Sequence, residues 1–208
     1  MFFWASASGG LELRREADGS HRLSGRFPYG VAAVLSDGGR SGRPQKEVIE
    51  PRAFSFRVEN PGEDIHLLVG HDFDHVLASK ATGSLVLRDT AAALTFNAAI
   101  PRAIAETSYG RDALAMIGAG LAVGLSPGFR IPPARAVPDA ETIEEEGDNP
   151  ERGEHRAIIR RVRAALLYEL SVVTRPAYPE AQVEARSWHL LPKSPVRALG
   201  TSLARWRA

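Results

Sequence analysis

The sequence predicts an α+β fold that is mainly β: a mostly antiparallel β-barrel with a few covering helices. Three observations carry this. Short apolar runs bounded by Gly, Asp or Pro recur along the 208-residue chain, as strands and their turns do. Few segments carry a helical pattern. No regular alternation of strand and helix is present, which argues against a doubly wound parallel sheet.

The elements follow in chain order. Gly30–Leu35, Ile65–Val69, Ser84–Arg88 and Leu94–Ile100 read as strands, as do Leu121–Ser126 and Ala165–Thr174, the last ending before Pro176. Arg156–Arg163 partly alternates arginine with branched apolar residues, the pattern of a half-exposed strand. A helix is expected near Ala103 to Ile117, after Pro101, although Gly110 weakens it. A shorter helix is expected over Arg52 to Val58.

Composition bounds the function. The chain is 44% hydrophobic and 25% charged, as ordinary globular proteins are. It has no cysteine, which excludes a disulfide scaffold, a thiol nucleophile and a cysteine-ligated metal. A net charge of +1 supplies no global field for nucleic acid. No apolar run approaches the ~18 residues of a membrane span. The N-terminus lacks a basic n-region and a long apolar core, which argues against a secretory signal. A soluble intracellular protein is the expectation.

Charge is uneven along the chain. Between Asp139 and Glu154 eight acids face a single arginine, Arg152, and Pro132, Pro133 and Pro138 precede them. An acidic, solvated, mobile loop is expected over about 134–154. Residues 185–208 carry Arg186, Lys193, Arg197, Arg205 and Arg207 and no acid, with Trp188 and Trp206 between them. This reads as a basic C-terminal tail appended to a domain over residues 1–184. A solvated tail, a nucleic-acid patch and a partner-docking segment all fit it, with docking preferred.

Three segments carry chemistry. Gly124-Leu125-Ser126-Pro127-Gly128 satisfies Gly-x-Ser-x-Gly, but the prolines at 132 and 133 prevent the helix a nucleophile elbow must open. An α/β-hydrolase is thus disfavoured, and Ser126 is a turn residue or an exposed hydroxyl. Gly70-His71-Asp72-Phe73-Asp74-His75 leaves an apolar run. It admits a polar turn, a general base at His71, or a metal site from His71, Asp72, Asp74 and His75. Glu169 stands inside an apolar strand, where a carboxylate is costly unless paired. It either faces solvent or orients an imidazole.

In order and spacing these segments resemble the prohead maturation serine proteases of tailed bacteriophages and gene transfer agents. The resemblance runs from about Gly25 to Pro179. It rests on Gly30–Val34, Lys46–Phe54, Leu68–Asp72, Gly83–Asp89, Gly118–Phe129 and Tyr168–Pro179. It implies a herpesvirus-assemblin-like barrel and a serine endopeptidase needing no cofactor and no metal. Carried over, His71 is the base, Ser126 the nucleophile and Glu169 the third member, with Asp72 the next candidate for that place. Pro127 departs from the commonest pattern and has no N–H for an oxyanion, so Gly128, another backbone amide or Arg175 would have to serve. The implied substrates are the major capsid protein precursor, a scaffold protein or the protease itself. Cleavage would take place inside an immature capsid, in the cytoplasm of the bacterial host. The herpesvirus relatives admit a homodimer; no membrane and no specific nucleic acid partner is implied. Two other classes stay open: a catalytically inactive capsid-assembly or scaffolding protein of the same fold, and a metal-dependent hydrolase.

Overall fold

A computed structural model describes residues 5–7, 11–39, 42–122, 124–149, 151 and 154–174. The described chain builds three sheets. The first holds strands Ala5–Ala7 (β1), Leu11–Arg15 (β2), His21–Pro28 (β3), Leu85–Asp89 (β8) and Ala93–Ile100 (β9), all antiparallel, in the order β1-β2-β3-β9-β8. The second holds His66–Val69 (β6), Asp72–Ser79 (β7), Gly124–Arg130 (β10) and Leu166–Val173 (β13) in the order β10-β13-β6-β7. The third holds Ala32–Ser36 (β4), Gln45–Ile49 (β5), Glu141–Glu145 (β11) and Ile158–Val162 (β12) in the order β11-β12-β5-β4.

Mainly β is therefore right, and most pairings are antiparallel, but the described strands form no barrel. The three sheets are open, and two pairings, β13 with β6 and β12 with β5, are parallel. Parallel neighbours need long crossovers. Here the chain from β6 to β13 passes through β7 to β12, so no local turn could announce the pairing.

The core follows from alternation. On β9, Leu94, Phe96, Ala98 and Ile100 point inward while Asn97 and Ala99 are exposed. Helix Ser55–Glu59 (α1) closes one side, with Phe54 at its start fully buried and its ring 5.6 Å from that of Phe129. The expected helix over 103–117 is two, Arg102–Ala105 (α2) and Ser108–Gly118 (α3). The break is a cap: Thr107 turns extended, and its hydroxyl accepts the Gly110 N–H at 3.0 Å.

The acidic stretch is not a loop throughout. Glu141–Glu145 is β11, paired with β12, and its carboxylates meet the arginines of that neighbour. Arg160 binds Glu141 and the buried Glu47, and Arg161 binds Glu144 and Glu50. Arg43 takes Glu145, and Lys46 takes Glu146. Charge counted along the chain missed the cations facing it from across the sheet. The basic tail 185–208 lies outside the described residues, as does Arg175.

Candidate active site

The site forms on one face of the second sheet, and local geometry puts each residue there. β6 and β7 are joined through Gly70 and His71, both with φ of 64°. Two residues at positive φ between paired strands make the tight hairpin whose twist suits a sheet. Gly70 adopts that conformation freely; His71 does so against a steric penalty that only a few side chains tolerate. The turn is held from β13: Gly70 N–H donates to the Val172 carbonyl at 3.1 Å, and His71 N–H donates to Ser171 Oγ at 2.9 Å. The polar turn expected here is real, and it carries His71 at its tip.

β13 carries a bulge. Gly128 pairs with Glu169 but Phe129 pairs with Leu167, so Tyr168 is the extra residue. Its ring sits under the Arg57 guanidinium, 4.0 Å from the centroid. The bulge resets the alternation. Leu167, Leu170 and Val172 all enter the core, and Glu169 and Ser171 share the opposite face.

Glu169 is 3% exposed and Ser171 0%. A carboxylate so buried must be satisfied, and it is. Its Oε1 lies 2.7 Å from His71 Nδ1, and its Oε2 accepts the Ser171 hydroxyl at 2.7 Å. Ser126, partly buried on β10, stands directly opposite Ser171 in the ladder, and Gly128 directly opposite Glu169. Ser126, His71 and Glu169 are thus gathered around Ser171. Among the described residues no hydrogen bond joins Ser126 Oγ to His71. In resting sites such bonds are often long and tighten only with substrate.

Pro127 occupies an edge strand. Because Val172 turns its carbonyl to the β6 side, Ser171 and Glu169 turn their N–H and C=O groups to β10. Ser126 and Gly128 are therefore the hydrogen-bonding positions of β10, and Pro127, which has no N–H, takes the position whose backbone turns away from β13. The Gly128 N–H is aimed at β13.

The remaining polar residues of the motif do other work. Asp72 pairs with His75 at 3.1 Å and accepts the Asp74 N–H at 2.8 Å. The His75 ring stacks on Tyr109, with centroids 5.0 Å apart. Asp72 therefore does not orient His71. Among the described residues no group of three or more His, Cys, Asp or Glu is arranged to hold a metal ion. Among the described residues no helix is long and apolar enough to cross a membrane.

The sequence singled out Ser126, His71 and Glu169 but not Ser171. The signal was there: residues two apart on a strand share a face, so Ser171 had to sit beside Glu169.

Chemically, a carboxylate on Nδ1 fixes the imidazole tautomer that leaves Nε2 able to take a proton. The His71 side chain is 46% exposed, against 5% for that of Glu169, so one end of the pair meets solvent while the other is buried.

The family model described as caudovirus prohead serine protease matches residues 32–193, well over half of the chain. Searches of curated proteins and of solved structures return no match.

Proposed function

The chain belongs to the caudovirus prohead serine proteases, and we propose that it is an active endopeptidase in which Ser126 is the nucleophile, His71 the general base and Glu169 the carboxylate that orients it. The observation that carries this reading is the 2.7 Å contact between His71 Nδ1 and Glu169 Oε1, made one strand away from Ser126. His71 Nε2 takes the Ser126 proton as Oγ attacks a peptide carbonyl, and Glu169 stabilises the imidazolium that results. The same proton then goes to the leaving amine, which frees the new N-terminus and leaves an acyl-enzyme for water to hydrolyse.

The oxyanion needs donors. With Pro127 lacking an N–H and Gly128 turned into the ladder, we assign this role to Arg175, which follows Thr174 in sequence and lies outside the described residues. One such donor is worth roughly 3–4 kcal/mol in the transition state.

The substrate in this reading is the capsid protein precursor or a scaffold protein, cleaved inside the immature capsid. A serine-reactive phosphonate tests the chemistry without a known cleavage site. It should label Ser126 in the wild type, should fail to label His71→Ala, and should act equally well in EDTA. Labelling elsewhere, or activity lost to EDTA and indifferent to phosphonate, would contradict the assignment.

A further inference from the structure

Ser171 joins three parts of the site at once. It is fully buried, at 0% exposure. Its hydroxyl proton goes to Glu169 Oε2 at 2.7 Å, and its oxygen accepts the His71 N–H at 2.9 Å. Its backbone pairs across the ladder with that of Ser126. We propose that Ser171 is a positioning residue of the peptidase: one hydroxyl sets the rotation of the Glu169 carboxylate and holds the left-handed turn that carries His71. This rests on the function proposed above.

The chemistry of a hydroxyl explains the choice of residue. Serine has one donor and two acceptor sites, so it can give to the carboxylate and receive from the amide together. Alanine at this position would leave the His71 N–H without its acceptor and Glu169 Oε2 without its donor. Both groups that meet at His71 Nδ1 would then be freed from the same side. Oε2 and the His71 backbone are fixed to one atom, and that shared anchor helps to align Oε1 with the imidazole. His71 has a φ of 64°, a conformation that its surroundings must hold in place.

The test separates positioning from mere stability. Ser171→Ala should fold, keep KM within about twofold, and lose kcat by up to roughly 100-fold, since small misplacements at a reacting centre cost that much. Ser171→Thr, which keeps the hydroxyl and suits a strand, should recover most of it. Two readouts do not depend on turnover and can be made in Ser126→Ala. Hydrogen exchange at the His71 amide should be slow in the parent and much faster after Ser171→Ala. The downfield proton resonance of His71 Nδ1–H should broaden or vanish in the same variant. Wild-type turnover in Ser171→Ala would overturn the proposal. So would lost turnover with the His71 amide and Nδ1–H signals unchanged. Should Ser171→Ala fail to fold, rapid exchange of the His71 amide in the parent protein would overturn it alone. If wild type and Ser126→Ala were equally inert, the peptidase reading would fail, while the exchange and resonance data would still decide whether Ser171 holds His71 and Glu169.

Discussion

Gly128 lies directly across the β10–β13 ladder from Glu169, and a Cβ placed on it would stand 1.9 Å from Glu169 Oε1. The buried carboxylate uses the space that a missing side chain leaves. Glycine here is a matter of room, because its backbone is in a conformation open to any residue.

Gly128→Ala should therefore fold yet displace Oε1 from His71 Nδ1. A shift of that kind predicts a fall in kcat of about 100-fold or more. The Tm should drop far less than the activity. Parallel thermal melts and cleavage assays check this, and an active Gly128→Ala would mean that Oε1 is not where the chemistry needs it.

The three site residues should behave as one unit. Ser126→Ala and His71→Ala should each remove most of the turnover, and the double variant should lose little more. Glu169→Gln should cost up to about 10⁴-fold, because an amide can present the wrong partner to the imidazole. Single-turnover cleavage of capsid precursor measures all four. Additive losses in the double variant would show that the two residues act separately.

Arg175→Ala should lower kcat by about 10²–10³-fold with little change in KM, the signature of a donor used only in the transition state. An equivalent rise in KM with kcat unchanged would assign Arg175 to substrate binding instead.

The acidic strand yields a pH prediction. Burial alone would raise the Glu146 pKa, but the His155 N–H and the Lys46 ammonium outweigh it and hold it below its ordinary 4.5. A carboxyl depressed on folding stabilises the fold above its unfolded pKa, and that stability is lost as pH falls through the folded value. Protection of the β11 and β12 amides, taken relative to the intrinsic exchange rate, should therefore be full above the ordinary carboxyl range and fall as the pH drops below it. Lys46→Ala leaves Glu146 without its ammonium and should cost about 1–2 kcal/mol, or roughly 2–8 °C in Tm. An unchanged melt would show that the pair contributes nothing.

Those ion pairs also show what the sequence could and could not reveal. The acids of 141–145 read as a solvated loop because their partners, Arg160 and Arg161, are distant along the chain and adjacent only across the ladder. The parallel pairing of β13 with β6 was hidden for the same reason, since no turn joins them. The site was more legible because each of its residues broke a local rule. Glu169 was a charge in an apolar strand, His71 a polar residue at the exit of another, and Ser126 a hydroxyl between glycines. What stayed hidden was what they share. Ser171 looks ordinary in a strand, and only the pairing of β10 with β13, distant along the chain, puts it and Glu169 on the same side as Ser126.

The basic tail should be dispensable for chemistry and needed for packaging. A chain truncated after Glu184 should cleave precursor in solution yet be recovered less often in assembled proheads. The family match extends to residue 193, nine residues past that cut. Loss of activity in solution would place those residues in the catalytic domain, and equal incorporation would end the docking idea.

Cleavage of a capsid or scaffold protein by Ser126, proposed above, is tested most directly by mass spectrometry of capsid precursor co-expressed with wild type and with Ser126→Ala. One defined new terminus is expected with wild type, and intact precursor with Ser126→Ala. Intact precursor in both would point to a non-catalytic assembly role, and the same cut in both would contradict the assignment of the nucleophile.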